Sequence, residues 1–378
     1  MTPTSPLLAE HEALGATLTD FAGWQMPLRY TSDIAEHTAV REAAGLFDLS
    51  HMGEIAVIGR GAERALDYAL VGNLTALAVG RARYSMLCQE DGAVIDDVVV
   101  YRLAEERFVV VANASNASVV LEELTARAEG FDAHVVDMSA DIALVAVQGP
   151  RSLEIVSAVA PGQHKVLDQM PYYASATVRV LGHDVLVSRT GYTGEDGFEL
   201  YVPNALAVEL WRALLEAGRP FGMVPAGLAA RDSLRLEAGM PLYGHELDRT
   251  TTPFEAGLGR VVKLDKTDDD GAPLAFVGRA ALESRKGAQP ARVLVGLQGL
   301  GRRAARAGYP VVSGTQEGAV VVGSVTSGAP SPTLGYPIAL AYVTPEVSAE
   351  GTELGVDVRG RAEPVRVVPF PFYRRPQG

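Results

Sequence analysis

The sequence predicts an α+β fold followed by an all-β domain at the C-terminal end, and three observations support this. The chain has 378 residues, which suggests two or three domains at roughly 100–200 residues each. Up to about residue 280, strand-like runs alternate with helix-like stretches, a pattern that favours a sheet layered with helices. From residue 281, short valine-rich runs separated by glycine and proline are typical of a small barrel or sandwich.

The individual elements are predicted from hydrophobic periodicity and from capping residues, glycine and proline. Residues 7–30 contain an aromatic, turn-like segment over 21–27. Asp33 to Glu36 resembles a capping box that opens a helix ending near Gly45. The pattern then predicts helices over 62–71, 115–128, 205–217 and 228–238, one more after Pro150, and a loop over 84–89. Strands are predicted over 54–58, 94–101 and 108–112, two within 133–148, and further strands around 174–189 and 198–202. C-terminal strands are predicted over 293–297, 319–324, 338–343, 353–358 and 365–368.

Composition excludes several classes of protein. The net charge of −13 disfavours a surface for nucleic acid or for an anionic membrane. No apolar run approaches the roughly 18 residues of a membrane span, and the N-terminus lacks the basic flank and apolar stretch of a secretory signal. Cys88 is the single cysteine, so no internal disulfide can form, which fits a reducing compartment. The sequence therefore predicts a cytoplasmic protein that binds neither nucleic acid nor membrane.

The common cofactor signatures are missing from the sequence. The seven histidines show no metal-ligand spacing, and Gly244-His245-Glu246-Leu247 lacks the second histidine of a zincin helix. Neither a G-x-G-x-x-G fingerprint nor a phosphate-binding loop occurs. We therefore expect no metal, no flavin and no nicotinamide.

A glycine-rich stretch from Thr190 to Glu199 is the first candidate for a functional loop. It places three glycines between two aromatic residues and ends on a carboxylate just inside a strand. A β-hairpin with a loose tip is an equally good interpretation of the glycines. A half-buried Glu199 needs a hydrogen-bond donor, however, and a simple hairpin tip does not supply one.

The strand over 94–101 carries two adjacent acids. Alternation places Asp96 and Asp97 on opposite faces, so they cannot form a carboxylate pair. An aspartate in so apolar a strand either meets a donor, lies at an edge or faces a pocket, and periodicity does not choose between these. Arg231 can be a surface residue or a carboxylate clamp, and Asn113 can be a turn former.

A series of short motifs extends over essentially the whole chain: Met26-Pro27, Glu36-His37, Val40-Arg41, and residues 48–53, 94–97, 147–150, 190–199, 227–240, 326–328 and 331–335. In this order they resemble the glycine cleavage system T-protein family, the aminomethyltransferases. The resemblance implies three domains in a cloverleaf around a central folate site: 1–50 with 138–245, 51–137 with 246–280, and a C-terminal β-barrel-like domain over 281–378.

The activity implied by the resemblance joins two carriers of one-carbon units. The aminomethyl group on the lipoyl arm of H-protein would be transferred to tetrahydrofolate as co-substrate, with release of ammonia. Two rivals of the same fold are a folate-dependent demethylase, which would turn over without H-protein, and a folate-binding regulatory protein without turnover. The loop 190–199 contains no cysteine, which argues against the branch involved in iron–sulfur cluster maintenance.

The resemblance also assigns roles to individual residues. Asp97 matches the essential acid, which could stabilise cationic character at the transferred carbon. The other matches are folate-binding or pocket-lining positions: Glu199, Arg231, Tyr84, Asn113, Tyr192, Met52 and, near the C-terminus, Tyr373. Two departures are Arg260, where many members carry tryptophan, and Gly92-Ala93, where a glycine pair is usual.

Overall fold

The computed structural model describes residues 4–268, 270–315 and 318–376. These residues divide into two compact units, which are described separately below. Unit 1 contains residues up to Ser85 together with Asp97–Gly191 and Glu195–Arg231. Unit 2 contains Met86–Asp96, Tyr192–Gly194 and the residues from Asp232 onward.

Helices and strands are mixed throughout most of the chain. The helices are α1 Leu8–Ala13, α2 Asp33–Glu42, α3 Ala62–Ala69, α4 Ala117–Arg127, α5 Ser152–Val159, α6 His164–Gln169, α7 Asn204–Gly218, α8 Leu228–Glu237 and α9 Arg279–Arg285. The first strands are β1 Thr17–Phe21, β2 Trp24–Arg29, β3 Gly45–Asp48, β4 Gly53–Ile58, β5 Ala82–Cys88, β6 Val94–Ala104, β7 Arg107–Ala112, β8 His134–Asp137 and β9 Ile142–Gln148. The remaining strands are β10 Ser175–Val180, β11 His183–Ser188, β12 Gly197–Pro203, β13 Val224–Pro225, β14 Val293–Gly299, β15 Pro310–Val312, β16 Val321–Pro330, β17 Pro337–Val343, β18 Glu353–Asp357 and β19 Ala362–Val368. Within the described ranges, no helix has both the length and the apolar character needed to cross a membrane.

Unit 1 contains a six-stranded sheet with the order β10-β11-β12-β9-β3-β13. One face of this sheet is apolar and packs against α5 and α7, with Phe198, Leu200 and Trp211 in the shared core. Because side chains alternate along a strand, Glu199 and Tyr201 of β12 point away from that core. The sheet thus buries one face against helices and presents polar groups on the other.

The second sheet has the order β5-β6-β7-β4-β8. The prediction of a loop over 84–89 was wrong, because most of these residues lie in β5, where they pair with the rest of the sheet. Helix α4 packs against β4, and α3 packs against β7. The two sheets meet through side chains of unit 1, because the hydroxyl of Tyr101 on β6 donates a hydrogen bond to Glu199 at 3.3 Å and accepts one from Tyr201 at 3.2 Å. A polar layer therefore lies between the two sheets.

The turn predicted within residues 21–27 lies at Ala22 and Gly23, where it joins the strands of the hairpin β1–β2. The capping box predicted from Asp33 was wrong. The helix α2 is capped by Ser32, whose hydroxyl accepts from the backbone N–H of Ala35 at 3.1 Å, and not by Asp33. The carboxylate of Glu36 instead accepts from the backbone N–H groups of Tyr30, Thr31 and Gly227. The contact with Gly227 is long-range in sequence, whereas the sequence suggested that Glu36 was part of a local cap.

Within unit 2, the C-terminal strands close into a barrel with the order β14-β17-β16-β15-β18-β19. Its interior is filled by side chains such as Leu297, Val311 and Ala341, which are fully buried. The predicted all-β barrel is confirmed, with the short strand β15 as an addition. Arg260, the position where tryptophan was expected, is exposed in a single helical turn, Gly259–Val261.

A buried ion pair links α8 to the segment that follows it, and its arginine also contacts the barrel. Arg235 and Glu246 are 1% and 0% exposed, and Nη1 of Arg235 donates to Oε2 of Glu246 at 2.8 Å. Arg235 also donates to the hydroxyl of Ser327 on β16 at 2.7 Å. Burial opposes the charge of Arg235, but Tyr192, Glu246 and Asp232 together hold its pKa above the usual value.

Candidate active site

Asp97 lies on the face of β6 opposite to Asp96. Asp96 is fully buried and Asp97 is partly exposed, as alternation requires. The hydroxyl of Tyr84 on β5 donates to Oδ2 of Asp97 at 2.9 Å. The amide of Asn113, just after β7, donates to Oδ1 at 2.9 Å and to the backbone carbonyl of Asp97 at 3.1 Å.

Three of the predicted site residues therefore form one hydrogen-bonded group. Asn113 precedes the helical turn Ala114–Asn116, but its side chain does not cap that turn and bonds to Asp97 instead. Of the three possibilities for an aspartate in this strand, the structure shows that Asp97 meets donors. Two neutral donors, Tyr84 and Asn113, hold the carboxylate in place.

Glu199 is the second carboxylate of the same layer, and it has the donors that the sequence requires. The hydroxyl of Thr190 donates to it, and Tyr101 does so at 3.3 Å. The hydroxyl of Thr190 lies 2.7 Å from that of Ser188 and 3.0 Å from that of Tyr101. Burial raises the pKa of Glu199, while the Thr190 hydrogen bond and the charge of Arg231 act to lower it.

The glycines before Glu199 allow the loop to pack onto the side chain of Gln148. Gln148 donates to the carbonyl of Thr190 at 3.0 Å. A Cβ atom on Gly191 would lie 1.9 Å from Oε1 of Gln148, and one on Gly197 would lie 2.3 Å from its Nε2. The loop is therefore not a loose hairpin tip, since its glycines are required by the close approach of Gln148.

Arg231 lies at the start of α8 and is partly exposed. Its charge affects two groups of unit 1: it opposes the rise that burial causes in the pKa of Glu199, and it adds to the fall that burial causes in the pKa of His51. It is therefore not a remote surface residue but a cation close to the polar layer.

His51 lies beside Met52, the partly exposed residue that the resemblance places in the pocket. The ring of His51 is 3% exposed and meets the edge of Phe21 with centroids 5.3 Å apart. Burial, and then Arg231, lower its pKa to about 4, against an opposing effect of Asp48. His51 is therefore neutral at physiological pH.

Tyr173 is a residue of this layer that sequence reasoning missed. Its pKa is raised by burial first, then by Tyr172, and then by the charges of Glu199 and Asp97. Its φ of 59° is unusual for a residue other than glycine, and such backbone strain clusters at functional sites. The backbone is held by bonds to Arg189 and Ala82. The only signal in the sequence was the aromatic pair Tyr172-Tyr173.

The last two predicted residues, Tyr192 and Tyr373, belong to unit 2. The hydroxyl of Tyr192 donates to the carbonyl of Pro241. The backbone N–H of Tyr373 donates to the carbonyl of Glu237 at 2.8 Å. Phe370 and Phe372, on either side, pack on a cluster containing Leu236. The sequence offers few motifs around Tyr373, but in the structure this C-terminal segment is bound to the end of α8.

The eight predicted residues fall into two groups. Asp97, Tyr84 and Asn113 are in direct contact within unit 1, where Glu199 and Arg231 interact electrostatically and Met52 lies between β3 and β4. Tyr192 and Tyr373 lie in unit 2. All eight are partly exposed. In the described part of the chain, no three His, Cys, Asp or Glu side chains are arranged to hold a metal ion.

These features define an α+β protein with a C-terminal closed barrel and a carboxylate-bearing polar layer between two sheets. Two family domains match the chain: the GCVT N-terminal domain over residues 7–266 and the glycine cleavage T-protein C-terminal barrel domain over residues 292–374. The chain belongs to the glycine cleavage T-protein family.

Known relatives agree over nearly the full length. An aminomethyltransferase of Streptomyces avermitilis is 59% identical over 371 residues, covering 97% of this chain and 96% of the relative. One of Saccharopolyspora erythraea is 56% identical, covering 98% of both. The crystal structure of glycine cleavage system aminomethyltransferase T from Bartonella henselae superposes with a TM-score of 0.89 at 37% identity, covering 99% of each chain. The predicted α+β fold and family are confirmed.

Proposed function

We propose that this chain is an aminomethyltransferase of the glycine cleavage system. It takes the aminomethyl group from the lipoyl arm of H-protein, releases ammonia and passes the one-carbon unit to tetrahydrofolate. Family membership over the whole chain supports the reaction class. The observation that carries the assignment of the site is Asp97, a partly exposed carboxylate fixed by Tyr84 and Asn113 in an otherwise apolar strand.

Tetrahydrofolate is the proposed co-substrate, and the side chains of the polar layer fit it. A pterin presents an amide-like edge with hydrogen-bond donors, and Glu199 is a carboxylate whose protein donors leave it further acceptor sites. Arg231 supports the anionic form of Glu199. We propose that Met52, Tyr84 and Asn113, all in unit 1, line the site, and that tetrahydrofolate supplies the nitrogen that accepts the one-carbon unit.

The proposed role of Asp97 is orientation and charge stabilisation. Positive character develops at the transferred carbon, and a preorganised carboxylate stabilises it at little reorganisation cost. Tyr84 and Asn113 fix the rotamer of Asp97 before any ligand binds. Holding the lipoyl arm of H-protein and tetrahydrofolate in the correct relative position supplies much of the remaining rate enhancement.

Three finer points belong to the same proposal. Lipoylated H-protein is the proposed partner, and the cytoplasm is the proposed location, supported by the single cysteine, Cys88. The three-domain division at 1–50 with 138–245, 51–137 with 246–280, and 281–378 remains our prediction.

The test is ammonia release from aminomethyl-loaded H-protein, measured with and without tetrahydrofolate. We expect strong folate-dependent release, with methylene-tetrahydrofolate formed in step. A folded protein that binds tetrahydrofolate but stays silent with loaded H-protein would contradict the proposal. Turnover of a small methylated substrate in that case would identify a demethylase, and no turnover at all would identify a regulatory protein.

A further inference from the structure

Glu54 on β4 is a buried acid that the proposed reaction does not use. Glu54 is 1% exposed, and the other residues of β4 are glycine or apolar. Both carboxyl oxygens are buried, and neither has a hydrogen-bond partner among the described residues. A buried carboxylate without donors is costly, so the neutral acid is the form compatible with this position.

Strand register places Glu54 in the polar layer. Glu54 pairs with Val111 of β7, and Val111 pairs with Val99 of β6. Paired residues share a face, and alternation adds Asp97 and Tyr101 to the face that carries Val99. Glu54 therefore lies on the same side of its sheet as Tyr101, whose hydroxyl contacts Glu199 and Tyr201 of the facing sheet.

The charged groups that act most strongly on Glu54 are acids. Its pKa is raised well above the usual value by burial first, then by Asp137 on β8 and Glu199 on β12. Glu54 in turn contributes to the raised pKa of Tyr201 on β12.

Glu199 differs from Glu54 in the contacts that decide ionisation. It accepts hydrogen bonds from Thr190 and Tyr101, and the charge of Arg231 favours its anionic form. Two carboxyl groups that interact in a low-dielectric layer cannot both ionise cheaply. The group with donors and a nearby cation keeps the charge, and the group without them keeps the proton.

We propose that Glu54 and Glu199 form a carboxyl pair that holds one proton, and that this proton resides on Glu54. Glu54 is then a positioning residue, because its neutrality leaves Glu199 as the anionic hydrogen-bond acceptor of the site. A charged Glu54 would repel the charge on Glu199 and push a proton onto it, removing an acceptor that a ligand's N–H groups require. The link to tetrahydrofolate rests on the proposed function, whereas the location of the proton does not.

Infrared spectroscopy of the full chain tests the location directly, since the C=O stretch of a protonated carboxylic acid is separate from the carboxylate bands and shifts in D2O. At neutral pH we expect one such band to be lost in Glu54→Gln and retained in Glu199→Gln. The exposed Glu129→Gln is the matched control and should also retain it. A band lost in Glu199→Gln, or no band lost in Glu54→Gln, would overturn the proposal.

The coupling between the two acids has its own readout. In Glu199→Gln the negative neighbour is gone, so the Glu54 band should disappear at a lower pH than in the wild-type protein. An unchanged titration of that band would show that the two groups are independent and would overturn the pair. Tetrahydrofolate binding measured on Glu199→Gln is a separate arm: unaltered affinity there would contradict the folate site while leaving the proton assignment standing.

Discussion

At the scale of single residues, the candidate site depends on how polar side chains are supported within apolar strands. Asp97 is held by donors from two other segments, Tyr84 on β5 and Asn113 after β7. Glu199 is held by hydroxyl groups, and Glu54 has no donor among the described residues. Three carboxyl groups in one layer thus have three different environments, which is how one site can contain acids of different ionisation.

Replacing Asp97 by asparagine should lower kcat by about 10²–10³-fold with little change in folding. Asparagine keeps the size but removes the charge, and its amide N–H₂ would face one of the donors, Tyr84 or Asn113. The measurement is ammonia release under saturating loaded H-protein and tetrahydrofolate, with thermal unfolding as the check on folding.

The matched control is Asp184→Asn, the same change at an exposed strand aspartate that pairs with Arg179. It should leave kcat as it is. Near-normal turnover of the Asp97 variant would exclude charge stabilisation by this residue.

His51 should make stability depend on pH in the acidic range. Its pKa falls from 6.5 to about 4 on folding, so the unfolded chain takes up a proton that the folded chain refuses. The stabilisation is fully present above pH 6.5 and is lost as the pH falls toward 4, by about 3 kcal/mol in total.

Urea unfolding of wild type and His51→Gln at several pH values between 7.5 and 4.5, on the order of one unit apart, checks this. The free energy of unfolding of the wild type should fall toward that of the variant as the pH decreases. His183→Gln, at an exposed histidine, should run parallel to wild type. Parallel curves for His51→Gln as well would show that His51 titrates normally.

At the scale of elements, the glycine-rich loop and β9 act as one structure. Gln148, at the end of β9, fills the space that side chains at positions 191 and 197 would need. It also satisfies the carbonyl of Thr190, whose hydroxyl bonds Glu199. The loop therefore orients Glu199 through backbone packing.

Gly191→Ala should destabilise the protein by about 1–3 kcal/mol, because the new methyl group overlaps the amide of Gln148. Chemical unfolding measures the change. In the double variant with Gln148→Ala the two effects should be less than additive, since the smaller side chain removes the overlap. Gly314→Ala is the control and should be close to neutral, because no described atom lies within 4 Å of the place its Cβ would take. Full additivity would mean that the loop and Gln148 do not share this contact.

At the scale of the whole molecule, unit 2 is organised around the buried contact between α8 and the barrel. Arg235 contacts Glu246 and Ser327, and the carboxylate of Glu237 accepts from the hydroxyls of Ser331 and Thr333. The same end of α8 receives the backbone of Tyr373. One helix end thus positions both the barrel and the C-terminal segment.

Arg235→Met should destabilise unit 2 by about 3–5 kcal/mol, because it leaves the buried carboxylate of Glu246 without its cation. Urea unfolding gives the value. Adding Glu246→Met should recover part of the loss, since the isolated charge is then gone. Arg303→Met removes a partner of Glu363 at the surface and should cost less than about 1 kcal/mol. Equal effects of the two arginine changes would contradict this account.

Much of the architecture was predictable because it follows from local pattern. Alternation along residues 94–101 correctly separated Asp96 from Asp97. Valine-rich runs after residue 281 predicted an all-β barrel or sandwich, and the structure shows a closed barrel. Where an element is defined by a distant contact, the prediction failed. Glu36 resembles a local capping residue, but its carboxylate accepts one hydrogen bond from the backbone N–H of Gly227, nearly two hundred residues away in sequence.

The sequence by itself determined the family, the α+β class, the all-β character of the C-terminal region and the identity of the polar residues that interrupt apolar strands. Only the tertiary structure decided how those residues are paired: Asp97 with Tyr84 and Asn113, and the glycine loop with Gln148. It also revealed Tyr173 and Glu54, which no local pattern distinguishes. The physical reason is that periodicity assigns a side chain to a face of one strand, whereas its ionisation and hydrogen bonds depend on the facing sheet, and that information is not local in the sequence.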